Sequence, residues 1–142
     1  MSIEIRIIGP GDEDVLSNVA ADVFDEDVDQ TFTTEFLDDA RHHLAVALNG
    51  SQVVGFASAV HYLHPDKPTE LWINEVGVSP DFQRQGLGTR LMRALFDMAR
   101  ETLGCNEAWV LTEPDNIQAH GLYRALGGEP DPTVMFSFKL DE

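Results

Sequence analysis

A chain of 142 residues with 43% hydrophobic content and a formal net charge of −16 fits one compact domain and is too apolar for wholesale disorder. The negative charge weighs against nucleic acid and anionic membrane surfaces as partners, since both are bound through clustered Lys and Arg. A lone cysteine, Cys105, excludes an intramolecular disulfide framework and any zinc site built on several thiolates.

In chain order, Ile3, Ile5 and Ile7 alternate with polar residues and predict a strand at 3–8, broken by Gly9-Pro10-Gly11. Asp12, Glu13 and Asp14 suit a helix start, with Val15, Leu16, Val19 and Ala20 as its apolar face. The charged stretch 25–29 reads as a loop, and a second helix is expected over 33–41. Strands follow at 44–48 and 52–62 around the hairpin signal Asn49-Gly50. A Pro-containing loop at 64–68 leads to a strand at 70–78. The spacing of Leu87, Leu91, Leu95 and Met98 predicts a helix over 86–103. A strand at 108–112, a helix at 116–126 stopped by Gly127-Gly128, and a closing strand at 134–140 complete the chain. This is a single α+β domain over residues 1–142, built on a mostly antiparallel sheet. No apolar run reaches the eighteen or so residues that span a bilayer. The opening MSIEIRIIGPGDED carries no secretory pattern, so a cytoplasmic location is expected.

Charge is unevenly placed. Residues 1–70 hold 14 acidic against three basic residues, a net of −11, whereas residues 71–142 hold 11 against six, a net of −5. Four of those six, Arg84, Arg90, Arg93 and Arg100, fall in one short stretch, so a local anion site is compatible with a surface that otherwise attracts cations. Surface or loop positions are expected for His42, His43, His61, His64 and His120, with no metal site, because no Cys or carboxylate stands at ligand spacing.

The order strand, turn, glycines, helix at 71–103 carries the chemistry. Gly86 and Gly88 free the backbone for close approach, and the first N–H groups of the following helix lack intrahelical acceptors. Phosphate or pyrophosphate fits there, with Arg84 and Arg90 as charge-assisted donors. Neither a Walker loop nor a dinucleotide fingerprint is present.

With Val78-Ser79-Pro80 before Gln83-Arg84-Gln85-Gly86-Leu87-Gly88, and Asn116 followed by Ala119, Leu122-Tyr123 and Gly127-Gly128, the chain resembles the GCN5-related N-acetyltransferase (GNAT) superfamily over about residues 3–140. The resemblance implies a mixed, mostly antiparallel sheet with helices on both faces and splayed central strands. It implies acetyl-CoA as cosubstrate. The pyrophosphate is then held by the amides of residues 84–89, with Gln83, Arg84, Gln85, Gly86, Leu87, Gly88 and Thr89 at the site. Pantetheine lies beside Val76, Gly77 and Val78, and Asn116 and Tyr123 line the other side. Glu75 is the expected base for the amine and Tyr123 the acid for the departing sulfur. The N–H of Val76, at an expected bulge beside Gly77, is the oxyanion donor. Cys105, past the long helix, has no chemical role.

Residues 54–89 and the ending Val134–Asp141 are further similar to type I aminoglycoside 3-N-acetyltransferases, which implies an antibiotic-resistance activity. A polycationic acceptor agrees with the charge, and Asp25, Glu26, Asp27, Glu75, Glu113 and Asp115 are the candidate ligands for its ammonium groups. The alternatives are acetylation of polyamines, other small amines or protein amines, and a non-catalytic acetyl-CoA sensor. The resemblance also implies a homodimer.

Overall fold

The computed structural model describes residues 2–141. One five-stranded sheet runs in the order β1 (Glu4–Ile8), β2 (His42–Asn49), β3 (Gln52–Tyr62), β4 (Glu70–Val78), β5 (Ala108–Val110). Neighbours are antiparallel except β4 and β5, which are parallel and joined through α2 (Leu87–Met98). The expected hairpin forms at Asn49-Gly50, with Gly50 at φ +63°.

Strand alternation divides the sheet into two faces. On one, Leu44, Val46, Leu48, Val53 and Phe56 pack with Leu16, Val23 and Leu37 from the segments before β2. On the other, Ala45, Ala47, Gly55, Ala57 and Ala59 leave room for α2, and Leu91 reaches to 3.5 Å from where a Gly55 Cβ would stand. Leu87, Leu91, Met92 and Leu95 of α2 are buried, and each such side chain removed from water contributes about 1.5–3 kcal/mol.

Several elements differ from expectation. The first helix is only a 3-10 turn, Glu13–Ser17, because the chain turns at Asn18 to bridge Val19 with Val53. The second, α1, spans Gln30–Asp38 rather than 33–41, since the Asp29 side chain caps it by accepting from Phe32 N at 2.9 Å. Beyond Met98 the long helix continues as one π turn, Ala99–Leu103, closed by Gly104 at φ +70°. The chain divides by its internal contacts into Met1–Leu111, with the sheet, α1 and α2, and Thr112–Glu142, with α3 (Ile117–Ala125).

The closing strand at 134–140 does not form. Val134, Met135, Phe136, Phe138 and Leu140 are exposed, and without a neighbouring strand their alternation has nothing to pair with. No helix among the described residues is long and apolar enough to cross a membrane.

Candidate active site

Pairing of β3 with β4 breaks register at one point. Ala59 faces Ile73 and Ser58 faces Glu75, so Asn74 is an extra residue with no partner. In an unbroken strand Glu75 would share the face of buried Ile73, beneath α2. The inserted residue turns it to the opposite face instead. There it lines a cavity of about 350 Å³ whose floor is Leu44, Phe56 and Ser58 and whose walls include Phe24, Phe36 and the loop Asp25–Asp29. Glu75 is thereby brought together with Asp25, Glu26 and Asp27, some fifty positions earlier, and among the described residues no Lys, Arg or His lines the cavity. Phe24 stacks on Phe56 at 4.1 Å between ring centroids. A cavity of carboxylates and aromatic faces suits ammonium groups.

The bulge is at Asn74, not at Val76 as expected. Gly77 serves a different purpose from a kink: a Cβ there would lie 2.6 Å from Val23 O and 2.9 Å from the Phe56 ring. Its bareness lets the segment before α1 close over β4.

β5 pairs only with Leu71–Ile73, so the edge of β4 from Asn74 to Val78 is free of β5 and the two parallel strands part there. This is the expected splay. After Val78, Ser79 N donates to Val54 O at 2.8 Å, and Pro80–Phe82 forms one 3-10 turn. Gln83 Nε2 donates back to Val78 O at 3.0 Å. Arg84 has φ +64° and Gly86 φ +76°, and α2 begins at Leu87, itself buried. A left-handed Arg is costly for a side-chain-bearing residue, and such strain marks functional turns. Gln85, Gly88 and Thr89 surround this helix start, whose amides have no intrahelical acceptor. Arg90 commits one of its five donors to the chain's start: its Nη2 donates to Ile3 O at 2.8 Å.

In the second unit, the Asn116 side chain caps α3 by accepting from Ala119 N at 3.1 Å. Tyr123 is half-buried, and burial raises its phenol above the usual range, so it stays protonated at neutral pH. Gly128 N donates to Tyr123 O at 2.9 Å, and a Cβ on Gly128 would meet that same oxygen at 2.9 Å. Glu113 and Asp115 are exposed, and the Glu113 carbonyl stands 3.0 Å from His120 Nε2.

Two histidines depart from the expected surface placement. His43 Nε2 and His61 Nδ1 are 2.8 Å apart across β2 and β3, with stacked rings. Burial, then the neighbouring His61 and His42, lowers His43 to about 4. Among the described residues no group of three His, Cys, Asp or Glu is placed to hold a metal. Ser58 was missed by sequence reasoning, although a hydroxyl inside the apolar run of β3 was a visible anomaly.

A profile of the acetyltransferase (GNAT) family matches residues 14–127. The chain belongs to the GNAT acetyltransferase family. It is similar to the N-alpha-acetyltransferase RimI of Mycobacterium tuberculosis, with 34% identity over 86 residues, 61% of this chain and 51% of that protein. The match thus spans about half of that curated relative. Among solved structures, an aminoglycoside acetyltransferase from an uncultured soil metagenomic sample superposes with a TM-score of 0.86 at 19% identity, covering 98% of this chain and 97% of that one. The aminoglycoside N-acetyltransferase AAC(6')-Iy, solved with CoA, gives 0.80 at 21% identity, covering 98% and 95%. At those identities the likeness is one of fold. GNAT acetyltransferases use acetyl-CoA as cosubstrate.

Proposed function

We propose that this acetyltransferase transfers an acetyl group directly to an amine of a polycationic small molecule, namely the 3-amino group of an aminoglycoside. The observation that carries this reading is the cavity that gathers Asp25, Glu26, Asp27 and Glu75 with no cationic side chain among the described residues of its lining. Several ammonium groups on one acceptor are held by such a field while one of them reacts. Glu113 and Asp115 are proposed as further ligands. The aminoglycoside acetyltransferases of like fold support the acceptor class, and the similarity over 54–89 favours the 3-amino group.

Acetyl-CoA supplies an activated thioester. The residues at hand fit it: unpaired amides at the start of α2, a left-handed Arg84 and Gly86, and an open β4 edge. In this reading residues 83–89 bind the phosphates. Val76, Gly77 and Val78 pair with pantetheine as an added strand would, and the Val76 N–H donates to the carbonyl oxygen of the acetyl group. Asn116 contributes to the cofactor site. Glu75 takes a proton from the ammonium group, which leaves a neutral amine as nucleophile. Tyr123 holds a phenolic proton for the departing sulfur, a role that its burial-raised pKa suits.

The experiment is a panel of aminoglycosides, polyamines and peptide α-amines ranked by kcat/KM, with the acetylated position read from the product. Aminoglycosides modified at the 3-amino group are expected to lead. The RimI similarity favours a second reading, a protein α-amine acceptor, and peptides heading the ranking would establish it. Binding of acetyl-CoA with no transfer to any amine would instead mark a sensor. A resistance role and a cytoplasmic location belong to the leading proposal, as does a homodimer, which the apolar side chains exposed at 134–140 support. Light scattering is expected to give twice the chain mass, falling to one chain mass in Phe136→Asp/Phe138→Asp.

A further inference from the structure

The floor of the acceptor cavity holds one polar group that the proposed chemistry leaves unused. Ser58 is 8% exposed, lines the cavity, and stands between Ala57 and Ala59 in an apolar stretch of β3. Its partner across the strands is Glu75, because the extra residue at Asn74 brings that carboxylate onto the same face. Directly opposed residues of an antiparallel pair hold their Cβ atoms about 4.5–5.5 Å apart. Thr33, the other buried hydroxyl of the lining, is satisfied by donating to Asp29 O at 2.8 Å. The Ser58 hydroxyl faces the same cavity as the carboxylate opposite it.

We propose that Ser58 is a residue of the acceptor site that contacts the reacting nitrogen; this rests on the amine-acetylating role proposed above. Glu75 removes one proton from the ammonium group and becomes the neutral acid. The amine keeps two N–H bonds, one of which is donated to Ser58 Oγ. Its lone pair is then left free, in a fixed direction, to attack the acetyl carbon. Two anchors on opposed strands restrict the nitrogen far more than one does, and orientation of this kind is a large component of rate.

The test uses the full chain, saturating acetyl-CoA and the best amine of the panel, with Ser58→Ala and Ser58→Thr. Ser58→Ala is expected to lower kcat/KM tenfold or more while leaving the KM for acetyl-CoA unchanged and Tm no lower. Ser58→Thr, which keeps the hydroxyl, is expected to retain more of the rate than Ser58→Ala. Unchanged kcat/KM in Ser58→Ala overturns the proposal while leaving a Glu75-dependent acetyltransferase in place. A loss of rate accompanied by a lower Tm, with Ser58→Thr no better than Ser58→Ala, also overturns it, because packing is then the role. A wild-type chain that acetylates no amine overturns both this inference and the function on which it rests.

Discussion

A methyl group at Gly77 would lie within contact-forbidden distance of Val23 O, a backbone atom held by the segment that closes the cavity. Gly77→Ala is therefore expected to destabilise the fold by about 1–3 kcal/mol, as overpacking does, and to raise the KM of the amine as the cavity wall shifts. Denaturant melts and steady-state kinetics check this together. Gly86 differs, because nothing stands within 4 Å of its missing Cβ. There the constraint is φ +76°, so Gly86→Ala costs about 1–2 kcal/mol of backbone strain. Its effect is expected on the KM for acetyl-CoA, with that for the amine unchanged. His43 gives a pH prediction. Its folded pKa, about 4, lies below the unfolded 6.5, so the unfolded chain binds the proton first as pH falls. Stability from this site is complete above pH 6.5 and declines toward pH 4, by an amount that solvent screening of the half-exposed ring reduces. His43→Gln should flatten that slope in melts taken between pH 4.5 and 7, and an unaltered slope would disprove the assignment.

The elements show how much the residues announce. The strand of period-two patterning from Ile3 to Ile7 and the return strand Gln52 to Tyr62 that the Asn49-Gly50 turn announces lie close to where the sequence puts them, as does the helix begun by Leu87 and Leu91. The glycine turn before α2 was equally legible, because Gly86 and the proline at 80 are local instructions. What sequence did not reveal is long-range. The extra residue at Asn74 has no composition signal, since a bulge is defined by its partner strand. Yet it decides which face Glu75 occupies. Asp29 starts α1 three residues earlier than the apolar pattern implied, through a single cap bond. Val134 to Leu140 has strand patterning without a strand, because pairing needs a neighbour as well as alternation. The element-scale prediction concerns the bulge. Deletion of Asn74 restores an unbroken ladder and turns Glu75 toward α2, so activity should fall to the level of a Glu75 variant while far-UV circular dichroism stays close to wild type. Full activity in the deletion would remove the bulge from the account.

Across the molecule, the net charge of −16 is concentrated on residues 1–70, which supply the acidic loop of the cavity. The cluster of arginines near the glycine turn is the local exception. Salt should therefore act differently on the two substrates. Raising ionic strength from 50 to 500 mM screens the acidic cavity and is expected to raise the KM of a polycationic amine several-fold. A monoamine should respond far less, and equal responses would mean that the field plays no part in acceptor choice.

A one-residue irregularity aims the Glu75 carboxylate into an acidic, aromatic-walled cavity, where it is proposed to take the amine proton. The most direct test is kcat for Glu75→Gln with the best amine at saturating acetyl-CoA. A fall of about 10²–10⁴-fold, with the KM for acetyl-CoA unmoved, is the predicted result. A variant that turns over at the wild-type rate would contradict it.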